Sequence, residues 1–567
     1  MEQLALIAAV LFATAVFIPI SMKINLPWPV LVTLFGIVLA AIPQVPQVHV
    51  EPDLILPLVL PPLLYAAARK TSWRFWAANA RPILLLAVAL VMVTTAAVAY
   101  VASAVVPGIS LAGAVALGAL VSPPDPVAAT AIAGKLHLPR RLVSMLEGEG
   151  LFNDVAALVL YQVAIAAVVG GSLTPGQAAT KLLLAAVLAV VVGFGFGWGF
   201  TRLIAMLGSV DPRPQVLLSV LAPTATYVMA EELHGSGVLA VLIYTLYSVS
   251  RPVDAADAQG RLTTDVFWSM TETLVTGIAF GLVGLEFQTA FEAIGARWTS
   301  LVGETVAVVA VVVVVRLLYL LPSVLLAKRF YQRLQAGALD DALSGRSATR
   351  RLQRQRDTDV PIGWRETVVV WWAGMRGVAT VALALAIPTV TDDGGAFPAR
   401  DRILFIAFSV VLVTLVLQGL TLPTVVKLLG VRPSARDNDE AEAVLAERAA
   451  HAAAEALNRL QDERDFGVEV WDRLNAFPTD VLVRLNAQLS SDSQHTSRTG
   501  KASDRADFLL GLQQMLGAAR EELLAARSER GIDPELVDQL VRRLDLYSLP
   551  ALPIVEGDLT GQPDSTQ

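Results

Sequence analysis

Two stretches of this chain place acids where an apolar neighbourhood should forbid them. The first, LEGEGLFNDVAALVLYQVA, lies within residues 142–169 and holds Glu147, Glu149, Asn153 and Asp154 inside a run that otherwise reads as a membrane helix. A charged group at membrane depth costs about 2.5–3.5 kcal/mol on insertion scales, so a helix that keeps several must satisfy them inside a bundle. Glu149 and Asn153 are one helical turn apart and share a face, whereas Asp154 is turned about 100° from Asn153 and can face a cavity while the other two are held by neighbours. The second stretch, SPPDPVAATAI, sets Asp125 among Pro123, Pro124 and Pro126. Prolines remove backbone donors and clash with the preceding turn, so the helix must break there. A break at that depth frees carbonyls at one half-helix end and N–H groups at the other, an arrangement that serves as an ion site where protein or a water-filled cavity covers it. Asp125 then stands before the second half-helix, where the positive dipole end favours its charge. The plainer reading leaves Asp125 as a helix cap beside a kink and Asn153 as part of a structural network. Desolvation penalises a carboxylate's charged form, so a proton or a hard monovalent cation neutralises Asp154, but not both together. The expected chemistry is exchange of one for the other, with Asp125 and Asp154 as the metal-ion ligands.

The composition requires a setting of that kind. The chain has 567 residues, 55% hydrophobic and only 16% charged, against about 25% charged in soluble proteins. Its mean hydropathy is +0.59. A polytopic membrane protein of all-α class follows. With no cysteine, there is no disulfide framework, thiolate metal site or cysteine nucleophile. The N-terminal MEQLALIAAVLFATAVFIPI lacks a basic leader region and is expected to be a first span. No G-x-x-x-x-G-K-[ST] phosphate loop occurs, so ATP-driven transport has no support, and no cofactor is expected.

Apolar runs long enough to cross a bilayer fall at residues 4–22, 27–41, 54–68, 82–106, 111–133, 142–169, 182–206, 214–230, 237–250, 264–287, 301–326, 367–388 and 403–429. These make about 13 transmembrane helices. Basic residues cluster in alternate loops: Arg69, Lys70, Arg74 and Arg81; Lys135, Arg140 and Arg141; Arg202 and Arg213; Arg251 and Arg261; and the loop from Lys328 to Arg365. The positive-inside rule places these loops and the C-terminus in the cytoplasm and the N-terminus outside. Residues 1–430 form the transmembrane domain. Residues 431–567 form a helical cytoplasmic tail for dimerisation or regulation, with about ten more acids than bases. Residues 550–567 are expected to be disordered.

Further charges lie within the spans. Glu272 and Arg316 are expected to pair as a structural bridge between neighbouring helices, while Glu231, Glu232 and His234 either gather cations at the outer mouth or cap a helix.

In order along the chain stand SPPDPVAATAI, GEGLFNDVAALVLY, AEELHGSGVLAVL, SMTETL and WWAGMRGVATVAL. In these motifs residues 5–430 resemble the sodium/proton exchanger family, the electroneutral branch of monovalent cation:proton antiporters, bacterial type. The resemblance implies two inverted repeats with broken, crossing helices at the fifth and twelfth spans, and a core bundle sliding against a dimer-forming domain. It implies that Asp154 carries the cation or the proton, with Asp125 and Asn153 shaping the unwound site. It also suggests that Arg376, set between Gly374 and Gly377, pairs with Glu149; the alternative has Arg376 snorkelling to the cytoplasmic surface. The sequence departs from the family pattern at three positions. Ala66 stands where many relatives carry an acid, Gly150 where a serine is common, and Pro124 where a threonine is common.

The function expected is electroneutral antiport of Na⁺, with Li⁺ or K⁺ as alternatives, for H⁺ by alternating access, in a homodimer in the plasma membrane that contributes to pH regulation. Its partners are the cation, the proton and the lipid bilayer, with no nucleic acid and no enzymatic reaction. A K⁺/H⁺ antiporter of the same fold is the nearest alternative. A channel or uniporter would show a carbonyl filter or charged rings instead of one titratable site between broken helices. An intramembrane aspartyl protease could use two aspartates, but its G-x-G-D context is missing and prolines box in Asp125.

Overall fold

In a computed structural model, the described residues are 2–24, 26–42, 45, 52–70, 85–125, 138–170, 175–207, 212–250, 258–294, 301–322, 363–431, 435–463, 468, 470–472, 474–475, 502–527, 529 and 534–548. Among them the regular secondary structure is helical apart from one isolated bridge between Val390 and Ala396. The helices are α1 (Glu2–Ile24), α2 (Trp28–Ala40) and α3 (Pro52–Lys70). Helix α4 opens on a π-helical turn, Leu85–Ala89, and continues through Leu90–Val105. There follow α5 (Leu111–Val121), α6 (Arg140–Val169), α7 (Pro175–Leu207), α8 (Pro212–Glu232), α9 (Gly237–Ser250), α10 (Ala258–Ile294) and α11 (Leu301–Pro322). The second broken pair is α12 (Trp364–Trp372) and α13 (Val378–Leu385), and α14 (Arg400–Leu429) closes the apolar part. The tail contributes α15 (Ala435–Glu463), α16 (Ala502–Ala526) and α17 (Pro534–Ser548).

Each apolar run read from the sequence coincides with one of these helices or, at the twelfth, with a broken pair. The fifth run is helical to Val121 and breaks at Ser122. Residues 126–137, with Pro126 and Lys135, lie outside the described residues, as do 323–362 of the basic loop and the stretch 550–567 expected to be disordered.

The helices sort by what they touch. Span Leu183–Met206 of α7 is 22% buried, whereas Arg400–Leu429 is 72% buried, so α14 stands at the centre and α7 at the rim. Helix α14 contacts α5, α10 and α13, and α6 contacts α3, α4, α5, α12 and α13. The unusual polar side chains themselves are buried, Asp125, Glu149, Asn153, Arg316 and Arg376 among them, as the cost of a polar group facing hydrocarbon requires. The tail packs a second apolar cluster that includes Leu445, Leu457, Leu474, Met515 and Leu540. It is tied by the fork of Arg448 on Glu522 and Glu529, each at 2.6 Å, and α17 touches α10.

Candidate functional site

The site is built where two interrupted helices meet. Ser110 starts α5 by accepting from the Gly113 N–H at 3.0 Å. The helix ends at Val121 because Pro123 and Pro124 cannot continue its ladder. At the other break, Glu366 accepts from the Gly363 N–H at 2.8 Å and starts α12. The paired tryptophans then anchor that helix, Trp371 donating to the Val313 carbonyl of α11 at 2.9 Å and Trp372 to Thr421 of α14 at 2.7 Å. Residues 373–377 are non-helical, and α13 begins at Val378.

The two breaks satisfy each other's backbone. The Asp125 N–H donates to the Met375 carbonyl at 2.7 Å, and the Val378 N–H donates to Asp125 Oδ2 at 3.0 Å. Asp125, 7% exposed, thus caps the positive end of α13 from the other chain segment. Arg376, 1% exposed, does the converse at the negative end of α5. Its Nε donates to the Val121 carbonyl at 2.9 Å, its Nη2 to that of Ser122 at 3.4 Å, and its Nη1 to that of Gly374. The Arg376 N–H donates to Thr414 Oγ1 at 3.1 Å, where α14 passes through a π-helical turn, Thr414–Gln418. Each orphaned helix end is covered by an opposite charge and by hydrogen bonds.

Two glycines make this approach possible. A Cβ at Gly377 would overlap the Asp125 carboxylate, and one at Gly374 would lie 2.5 Å from Arg316 Nε. No side chain larger than hydrogen fits at either position without displacing a buried charge.

Glu149 is held differently from the expectation. Its partner is Arg316 of α11, in a bidentate pair at 2.6 and 3.0 Å, with Arg316 Nη2 also donating to the Val370 carbonyl at 3.2 Å. The expected Glu149–Arg376 and Glu272–Arg316 pairs are both corrected. Arg376 sits where a helix has unwound, so free carbonyls satisfy it; Arg316 lies on an intact helix whose carbonyls are used, so it needs a carboxylate. Among the described residues the carboxylate paired with Arg316 is Glu149, whereas Glu272 is half-buried on α10. The pair ties α6, α11 and α12 together and fixes the turn of α6 that carries the next polar residues.

Those residues are Asn153 and Asp154. Asn153 is 1% exposed, and its Oδ1 and Nδ2 have no hydrogen-bond partner. Asp154 is half-buried and lies within electrostatic reach of Asp125, so their charges repel. Thus Asp154 is brought within reach of Asp125 at the crossing, with Asn153 next to it in the chain and Pro123 and Pro124 at the break. The side chain of Glu147 lies outside the described residues. Glu231 Oε1 accepts from the Gly237 N–H at 2.9 Å and so caps α9, and His234 beside it is exposed with φ 59°.

Sequence reasoning missed the π-helical turn of α14, whose Thr414 holds the Arg376 backbone, because nothing in TLVLQ departs from an ordinary apolar helix. It also passed over Thr380 of α13, which is 1% exposed with an unpartnered hydroxyl. Among the described residues no three His, Cys, Asp or Glu side chains cluster to hold a metal ion.

Comparison with known proteins agrees with the motifs. The family described as "Sodium/hydrogen exchanger, transmembrane" matches residues 9–428. A protein of Mycobacterium tuberculosis named as an uncharacterized Na⁺/H⁺ exchanger is 29% identical over 550 residues, covering 97% of this chain and 95% of its own length. A protein of Bacillus subtilis named as a sodium, potassium, lithium and rubidium/H⁺ antiporter is 28% identical over 404 residues, 70% of this chain and 57% of its own. Among solved structures, the sodium proton antiporter MjNhaP1 from Methanocaldococcus jannaschii at pH 8 superposes with a TM-score of 0.57 at 16% identity, over 76% of this chain and 100% of its own. That likeness concerns the fold.

Proposed function

The chain belongs to the sodium/hydrogen exchanger family, and from that premise we propose that it exchanges one Na⁺ for one H⁺ at Asp154, without net charge movement. The observation that supports this reading is the balance of buried charge. Arg316 is neutralised by Glu149 in a bidentate pair. Arg376 and Asp125 cross-cap the two broken helices and compensate each other. Asp154 is left over. With Asp154 ionised the cluster carries one uncompensated negative charge; with either a proton or a monovalent cation bound it carries none.

That arithmetic supplies the coupling. Moving an uncompensated charge through a low-dielectric barrier is costly, so the bundle carrying α6 changes its exposure only when Asp154 is occupied. Two occupants of equal charge, mutually exclusive at one carboxylate, give strict one-for-one exchange by alternating access. Asn153, with both polar atoms unpartnered, supplies an uncharged oxygen to the cation and an N–H to the carboxylate.

The basic loops support an orientation with the N-terminus outside and the C-terminus in the cytoplasm, and in this reading the molecule acts as a homodimer in the plasma membrane. K⁺ is the second reading. Pro124 and Gly150 leave no hydroxyl at positions adjoining Asp125 and Glu149, which reduces the small, hard ligand set that favours Na⁺. The breadth of the Bacillus relative's name supports that alternative.

The test is purified protein in liposomes with an imposed pH gradient and clamped membrane potential, challenged with NaCl, KCl, LiCl or choline chloride. Collapse of the gradient with NaCl and not with choline, absent in Asp154→Asn, is the expected result. Retention of full exchange by Asp154→Asn would overturn the assignment. A further expectation follows from competition: at saturating proton concentration the carboxylate stays protonated, so the apparent KM for Na⁺ rises as pH falls while the maximal rate at saturating Na⁺ changes less.

A further inference from the structure

We propose that Thr380 supplies the neutral hydroxyl ligand of the cation site. This rests on the exchange reading above and deepens it. Thr380 is the third residue of α13, counted from the helix start at Val378, and is 1% exposed. Its Oγ1 is buried and has no hydrogen-bond partner.

A buried threonine in a helix normally escapes that state by donating to the carbonyl four residues back. Thr14, Thr33, Thr226, Thr245 and Thr414 all do so, to Val10, Pro29, Ala222, Val241 and Val410. For Thr380 the residue four back is Arg376, which belongs to the non-helical segment, so that acceptor is not in register. The same unwinding that creates the site removes the hydroxyl's usual partner. Thr276 and Thr305 also lack partners, but neither lies on a broken helix.

Direction comes from helix geometry. Cα–Cβ bonds tilt toward the helix N-terminus, so the Thr380 side chain leans toward the first turn of α13. That turn is where the Val378 N–H binds Asp125 Oδ2 at 3.0 Å. Helix α13 also contacts α6, whose Asn153 carries the second unpartnered polar group, 1% exposed. Two buried, unsatisfied neutral groups thus stand on two touching helices, one next to Asp154 in the chain and one on the half-helix that Asp125 caps. A hydroxyl suits both halves of the cycle: it accepts no more than a cation contact when the ion is bound and donates to a carboxylate oxygen when it is absent. It stands in for the hydroxyls lacking at Pro124 and Gly150.

The experiment compares wild type, Thr380→Val and Thr380→Ser by Na⁺- and Li⁺-driven collapse of a pH gradient in liposomes. In parallel, the shift in Tm that each cation produces in detergent is measured, since a ligand bound only to the folded state raises Tm. Expected is a KM raised about tenfold in Thr380→Val, as loss of one ligand implies, with maximal rate kept within about twofold. The cation-induced Tm shift should fall, and Thr380→Ser should restore both. Should Thr380→Val fail to fold, Thr380→Ala carries the same comparison. Wild-type KM and Tm shift in a folded hydroxyl-free variant would overturn the proposal and leave Thr380 as the host of a structural water. Absence of exchange in the wild type, by contrast, would overturn the exchange reading itself.

Discussion

At the scale of single residues, the site is governed by how each buried charge is neutralised. Arg316 and Glu149 are 1% and 4% exposed, so removing either leaves the other desolvated without a counter-charge, at a cost of about 3–5 kcal/mol. Arg316→Ala and Glu149→Ala should each abolish folded protein recovered from the membrane, or lower Tm by many degrees. The double variant should be less damaged than the sum of the two. A double-mutant cycle pairing Glu149 with Arg376 should show the smaller coupling, because Arg376 is held by carbonyls rather than by that carboxylate. Equal coupling in both cycles, read from Tm in detergent, would contradict the assignment. The geometry also explains why Arg376 cannot snorkel: its guanidinium is spent on the end of α5.

At the scale of elements, two broken helices depend on each other. Both half-helix ends meet buried charged side chains, the carbonyls of α5 Arg376 and the first N–H of α13 Asp125. Gly377 is the point of closest approach. Gly377→Ala would drive a methyl group into the Asp125 carboxylate, so it should separate the crossing and eliminate cation-dependent exchange, whereas the exposed Gly195→Ala on α7, which meets nothing within 4 Å, should leave it intact. Transport in liposomes by the two variants, normalised to folded protein, makes the comparison. The π-helical turn of α14 belongs to the same device. A π turn offsets the ladder by one residue, and here it carries Thr414, which accepts the Arg376 N–H.

At the scale of the whole molecule, we propose that residues 431–567 form a separate tail unit that leans on the transmembrane domain through α17 and α10. Asp538 of α17 meets Arg527 at 2.9 Å. Burial nevertheless pushes its carboxyl above the usual carboxylate range, outweighing the pull of Arg527 and Arg542, with the charge of Asp265 at the α10 end adding a smaller push the same way. A carboxyl whose folded value is raised binds its proton more readily folded than unfolded, so stability falls as pH rises through that folded value and is recovered on acidification. Protection of α16 and α17 amides, corrected for intrinsic exchange rates, should therefore increase as pH falls toward the carboxylate range. Asp538→Asn should flatten that dependence. Protection that rises with pH in the wild type would show the Arg527 pair to dominate instead.

Much of this protein is legible in its residues alone, for a definite reason. Inside a bilayer the cost of a polar group is so high that each surviving one marks a function or a partner, and long apolar runs have few folds open to them. Hence the helical spans, the break at SPPDP, and Asp125, Asn153 and Asp154 as one candidate site could all be read before any coordinates. What only the tertiary structure decided was the pairing. Sequence shows that Arg316 and Arg376 are each buried and costly, but the choice of partner depends on which helices lie side by side and whether the local backbone has free carbonyls. Arg376 turned out to lie in an unwound segment that feeds on the end of α5, and Glu149 was left to Arg316. The unpartnered hydroxyl of Thr380 was hidden for the same reason: the sequence does not show that the residue four back, Arg376, lies outside the helix and offers no acceptor in register.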